Sequence, residues 1–244
     1  MSRSFYGRPS SRPYDGVILK CRKASAKQLV LTIFTCQQGL MTVLARRSSQ
    51  GKMGYGSLTP LAEITFDVLE KDEVCTLTEY DCRSNQRLRQ LTWDSYVYSQ
   101  IFTEIVLFLT TAGEKDETVY NLIRLYGRAI ELKEPRIVTI IAGWQLVALT
   151  GFLPDIASAP IFQGGVGYGG QPGYYIGTEA ENMQEIPVSE SVRQTWQTLV
   201  HYVWGSQEKI HLRRQDLAFL EQLLYNYVSQ CREKRMKSPA LLAN

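Results

Sequence analysis

The chain has 244 residues, room for one large domain or two small ones, and its 44% apolar and 21% charged content is that of an ordinary globular protein, which sets intrinsic disorder aside for the bulk of the chain. The net charge of +3 conceals an asymmetry. Up to Leu58 the bases are Arg3, Arg8, Arg12, Lys20, Arg22, Lys23, Lys27, Arg46, Arg47 and Lys52 against the single acid Asp15; acids then return together as Glu63, Asp67, Glu70, Asp72, Glu73, Glu79 and Asp81. Such a distribution favours an anionic partner, nucleic acid ahead of a membrane surface, with a solvated basic face lacking any partner as the alternative.

In chain order, Met1–Gly16 lacks the apolar stretch of a secretory signal, and its Ser, Arg and Pro content predicts a flexible lead-in over residues 1–13. Tyr14–Arg22, Gln28–Thr35 and Leu40–Arg46 read as strands, the last two joined by a hairpin turn at Cys36–Gly39. Ala62, Ile64, Phe66 and Val68 alternate with Glu63, Thr65, Asp67 and Leu69, a period-2 strand, and the polar turn Lys71-Asp72-Glu73 leads into a fifth strand, Val74–Tyr80. Five short strands in about 80 residues predict a closed Greek-key barrel of the OB type, with an SH3-like barrel as the structural competitor. Between the third and fourth strands, RRSSQGKMGYGSLTP (Arg46–Pro60) combines glycines, the bases Arg46, Arg47 and Lys52, and Tyr55 as a ring for a base to stack on. Single-strand binders use such basic, aromatic surfaces; a solubilising loop is the bland alternative.

After Cys82 the period changes to that of helices: Leu91–Ala112, Glu117–Lys133, a helix from Pro135 to Gly151, Ser191–Trp204 with Ser191 and Gln194 as a capping box, and Asp216–Met236. The apolar run Ile137–Leu153 falls short of the roughly 18 residues of a membrane span and reads as a buried core helix. The chain thus divides into a barrel domain, 1–82, and a helical domain, 83–244, interrupted by a glycine-rich insertion, 154–187. In that insertion Gly165, Gly167 and Gly170 spell G-x-G-x-x-G, but Pro172 and Gly173 follow where a dinucleotide site needs a helix. The fold class is α+β with the two kinds of element segregated.

Catalytic signatures do not emerge. The two histidines, His201 and His211, have no partners at metal-ligand spacing, the five cysteines (Cys21, Cys36, Cys75, Cys82, Cys231) form no C-x-x-C pair, and neither a nucleophile elbow nor a P-loop occurs. Cys36 and Cys75 adjoin apolar strand residues and read as buried thiols in a reducing cytoplasm. The expectation is a binding protein without catalytic residues, metal or cofactor. Its candidate phosphate contacts are Arg22, Lys23, Lys27, Arg46, Arg47 and Lys52, with Tyr55 stacking and Arg213 and Arg214 on the helical side.

Several segments are similar to the RecO family of recombination mediators. Tyr14-Asp15-Gly16-Val17-Ile18-Leu19-Lys20 resembles that family's opening strand, as does Leu29–Thr35 followed by Gly39. Val43–Arg47, Leu58-Thr59-Pro60-Leu61, Thr78-Glu79 and Gln145–Pro154 fit the same pattern, so that the likeness covers about residues 14–154 and 188–242. The chain departs from the family in two places: Asp155–Gly177 holds none of the four cysteines of the zinc site many members carry there, and Ala26-Lys27-Gln28 stands where an acidic pair is often seen. The resemblance implies a bacterial, nucleoid-associated protein of DNA repair. It would bind single- and double-stranded DNA, anneal complementary single strands and help load the recombinase. Its implied partners are a RecR-type mediator and the acidic tail of single-strand binding protein. That tail would dock near Lys209, Arg213, Arg214, Arg232, Lys234, Arg235 and Lys237. A passive barrel that binds RNA or a protein tail without annealing is the other reading.

Overall fold

The computed structural model describes residues 13–46, 57–83, 92–177, 182–206 and 212–243. Five strands, β1 (Tyr14–Ser25), β2 (Gln28–Thr35), β3 (Gly39–Arg46), β4 (Glu63–Lys71) and β5 (Val74–Cys82), close into a barrel in the order β1-β2-β3-β5-β4. All neighbours are antiparallel except β3 and β5, which run parallel through Val43↔Cys75 and Leu44↔Thr76. This is the OB arrangement and not an SH3-like meander. Its interior is filled by Ile18, Leu31, Ile33, Val43, Ala45, Ile64, Phe66 and Leu77, the inward members of the alternating strands.

Two glycines are dictated by close approach. A Cβ on Gly16 would come within 2.5 Å of Ile33 Cγ2 and 3.1 Å of the Phe66 ring, so only glycine lets β1 cross β2 and β4 there. Gly39 has φ +67°, and a side chain on it would collide with the backbone of Glu114. That collision course exists because the segment after the first helix runs along the start of β3, with Gly113 N–H donating to Leu40 O at 3.1 Å.

The helical part comprises α1 (Trp93–Leu109), α2 (Glu117–Ala129), α3 (Pro135–Leu149), α4 (Glu190–Val200) and α5 (Arg214–Cys231). Side-chain caps start four of them: Thr92 for α1, Asp116 for α2, Glu134 ahead of Pro135 for α3, and Ser189 for α4. The cap of α4 corrects the expected Ser191/Gln194 box: Ser189 Oγ accepts from Val192 N–H, and Ser191 is already the second residue of the helix. α3 lies at the centre, packed on α1, α2, α4 and α5, with Trp144 fully buried against Trp196 and donating to Leu220 O at 3.2 Å. No helix among the described residues is long and apolar enough to cross a membrane.

The insertion is more structured than its glycine content suggests. Residues β6 (Ile161–Val166), β7 (Pro172–Ile176) and β8 (Gln184–Ile186) form a three-stranded antiparallel sheet in the order β7-β6-β8. The sheet is tied to α5: Ile176 N–H donates to Gln230 Oε1 at 3.3 Å, Gln230 Nε2 donates to Ile176 O at 3.2 Å, and the Tyr168 hydroxyl meets Ser229 Oγ at 2.9 Å. A strand, β6, therefore does run into the G-x-G-x-x-G, but the last three residues of the motif form a 3-10 turn (Tyr168–Gly170) and β7 follows in place of a helix.

Barrel and helices share one apolar seam. Val17, Leu19, Phe34 and Leu61 belong to the helical core although they are barrel residues. Beside the seam, buried Glu63 on β4 accepts from Arg124 Nε at 2.9 Å and Arg128 Nε at 3.1 Å, both on α2. Breaking a fully buried pair by removing one partner costs about 3–5 kcal/mol; here both arginines keep a path to water, so Glu63→Gln is expected to cost about 2 kcal/mol. Urea unfolding should show a lower midpoint with an unchanged slope, and an unshifted midpoint would remove this pair from the forces joining the two parts.

Candidate nucleic-acid interface

The register of β1 determines where its bases point. Ile18 pairs with Ile33, both inside the barrel, but the next pair is Lys20 with Thr32. Leu19 is thus an extra residue, a bulge, and bulges re-aim the side chains that follow them. Without it Lys20 and Arg22 would share the inward phase of Ile18. With it, Cys21 faces inward beside Leu31, whereas Lys20 and Arg22 are exposed.

The neighbouring strands extend this outer face. Lys20 is aligned with Thr32 and Thr42, Arg22 with Val30 and Leu44, and Ser25 with Gln28 and Arg46. Three bases, Lys20, Arg22 and Arg46, therefore lie on one surface of β1-β2-β3, floored by threonines and half-buried aliphatics. Lys27 sits in the β1–β2 turn at its edge. Among the described residues no carboxylate lies within ion-pair distance of Lys20, Arg22 or Arg46, in contrast to Arg124, Arg128 and Arg136, which are all paired.

Of the residues expected from sequence, Arg22, Lys27 and Arg46 are brought together here. Lys23 is exposed but pairs with Leu29, which packs against the barrel interior, so it belongs to the opposite phase of the strand at the barrel mouth. Arg47, Lys52 and Tyr55 lie outside the described residues. Arg213 and Arg214 belong to the helical surface, at the start of α5, which packs on α1, α3, α4 and β7. Lys20 was absent from the expected set; its period-2 spacing to Arg22 was the available signal, but only the bulge shows which way the pair points.

The β4–β5 turn has the opposite sign. Asp72 and Glu73 form the β4–β5 turn, both at positive φ (50° and 62°), next to Glu70. OB barrels bind oligonucleotides on the strand 2–3 face between the β1–β2 and β4–β5 loops. Here the first loop is basic and the second acidic, which directs phosphates towards the β1–β2 edge.

The cysteines are half-buried, not buried as expected for Cys36 and Cys75. Burial pushes the Cys21 thiol up, and burial together with Glu70 does the same to Cys75. Both stay protonated at neutral pH and are poor nucleophiles or metal ligands. His201 is exposed at the end of α4, His211 lies outside the described residues, and no cluster of three His, Cys, Asp or Glu with metal-binding geometry occurs among the described residues.

Changing Lys20, Arg22 and Arg46 together to Glu should weaken single-strand binding for all sequences alike, because phosphate contacts position without reading bases. If these three and Lys27 each neutralise a phosphate, the wild-type affinity should fall with salt at a log–log slope of about −3, from about −0.7 per contact, and the triple variant should flatten it to about −0.7. Lys23→Glu should have the smaller effect. Salt titrations read by fluorescence anisotropy check this; a folded triple variant with wild-type affinity would exclude the surface. No family model matches the chain, and no curated protein matches it in sequence.

Proposed function

We propose that this protein binds single-stranded DNA on the outer face of β1-β2-β3 and promotes the annealing of complementary strands, as a non-catalytic accessory of DNA repair and recombination. The observation that carries the reading is the outward row Lys20, Arg22 and Arg46, free of carboxylate partners among the described residues, on the barrel face that OB folds use for oligonucleotides. Annealing requires phosphates to be neutralised while base edges stay exposed to a second strand. A shallow face of bases, threonines and aliphatics satisfies both demands, whereas a deep cleft would sequester the bases. The resemblance to recombination mediators, traced on Tyr14–Lys20, Leu29–Thr35 and Gln145–Pro154, adds the biological setting and the expected partners, a RecR-type mediator and single-strand binding protein.

A cavity of about 240 Å³ between α3 and the segment after α4 supports the second partner: Ile137, Ile141, Trp204 and Leu212 line it, Lys133 lines it too and donates to the Tyr202 hydroxyl at 2.9 Å, and the one carboxylate in its lining, Glu134, is engaged by the Arg136 and Ile137 N–H groups. An apolar pocket with a cation at its edge suits an acidic, aromatic tail.

The test is annealing of two complementary oligonucleotides, followed by fluorescence quenching, with the strands bare or coated by single-strand binding protein. The protein should accelerate pairing of bare strands, and of coated strands only when the coat retains its acidic tail. Binding without acceleration would make the barrel a passive scaffold, and equal acceleration on tail-less coats would remove the tail from the reading.

A further inference from the structure

On the helical side, away from the barrel seam, lies a cavity of about 530 Å³. It is bordered by the first half of α5, Tyr98 of α1, the start of α3, the turn Tyr168–Gly170, β7 and the C-terminal 3-10 helix Ser238–Ala243. Its size is in the range of small-molecule sites, about 300–1,000 Å³.

Three features of its lining specify chemistry. One wall is aromatic: the rings of Phe219 and Tyr174 stand 4.6 Å apart, tilted by 54°, each half-buried with surface left for a flat partner. The floor is polar but internally neutral. Buried Glu221 accepts from Arg136 Nε at 2.9 Å and from the hydroxyls of Tyr98 and Tyr225 at 3.2 and 3.0 Å, so its charge is balanced and its acceptors are filled. Burial, reinforced by that carboxylate, pushes both phenols well up, which keeps them protonated as donors. At the mouth, exposed Arg214 has no carboxylate within ion-pair distance among the described residues, and the exposed amides of Gln215 and Gln171 flank it.

A charge-balanced floor, the Arg214 guanidinium, an aromatic wall on which either ring offers one face, and amides that both donate and accept are complementary to a planar ring with a polar edge and an attached anion. From this we infer that the cavity binds a nucleoside monophosphate unit, its base against Phe219 and Tyr174, its polar edge on the glutamine amides and its phosphate on Arg214. Two sources offer that chemistry: a free nucleotide, or the terminal nucleotide of a strand carrying a 5′-phosphate. The inference is independent of the barrel face, since none of the cavity's residues belongs to β1, β2 or β3.

The experiment is isothermal titration calorimetry of the full chain with AMP, GMP, CMP and UMP, the matching nucleosides, inorganic phosphate, and a short oligonucleotide with 5′-phosphate or 5′-hydroxyl. Background binding by the barrel is suppressed by working on the Lys20→Glu/Arg22→Glu/Arg46→Glu chain. At least one nucleotide, or the phosphorylated oligonucleotide, should bind at one site per chain, about tenfold or more tighter than its unphosphorylated counterpart. Arg214→Gln, an exposed position that leaves the core untouched, and Phe219→Ala should each weaken binding about tenfold, and Arg213→Gln should leave it unchanged. Saturation by free nucleotides identifies a free ligand; saturation by the phosphorylated oligonucleotide alone identifies a strand end. Absence of binding by all probes, equal binding by nucleotide and inorganic phosphate, or binding insensitive to both cavity variants would overturn the inference.

Discussion

Val17 and Leu19 leave the barrel and enter the helical core, whereas Ile18 between them fills the barrel interior. A strand buried on both faces has no solvent side to spare, and that constraint organises the rest of the molecule. It forces glycine at position 16, where any side chain would strike Ile33. It also brings α2 close enough for Arg124 and Arg128 to reach Glu63 across the seam. The bulge at Leu19 then releases β1 from double burial: beyond it the strand turns its bases outward, and a segment that began as core ends as surface. The same strand therefore anchors the helices at one end and presents the basic face at the other.

The helical part is organised around its own buried charge. Glu221 holds Arg136 from α3 and the phenols Tyr98 and Tyr225 from α1 and α5, so three helices converge on one carboxylate. A charge so deeply placed is tolerated only because each of its partners donates to it. The glycine-rich sheet completes this region through Gln222, Ser229 and Gln230 of α5, which bond to the backbone or hydroxyls of Tyr168 and Ile176. The barrel face and the α5 cavity thus lie on different elements with different chemistries, one an open row of bases and the other an aromatic-walled recess.

Much of the architecture was legible in the sequence because it follows from periodicity. Alternation located β2 with its observed bounds and β3 to β5 within two residues, and the spacing of apolar residues located all five helices, though each is shorter than the range expected for it. The bulge was not legible, since Ile18-Leu19-Lys20 has the same hydropathy whether or not Leu19 is an extra residue, and so the direction of Lys20 was missed. The sheet in the insertion was hidden for a different reason. Its glycines weaken any strand propensity, and it is held by bonds to α5 such as that between Ile176 and Gln230, 54 residues apart in the chain. The helix cap moved from Ser191 to Ser189 although only Ser191 has a glutamine three residues on: the helix begins at Glu190, which puts Ser191 inside its first turn.

The proposed function requires that single-stranded DNA lie along the outer face of β1-β2-β3. Photo-crosslinking of a strand carrying photoreactive bases, followed by mass spectrometric identification of the attached peptides, tests it most directly. Crosslinks concentrated within Lys20–Thr32 and Thr42–Arg46 are the predicted result. Crosslinks confined to the acidic β4–β5 hairpin or to the helices would contradict it.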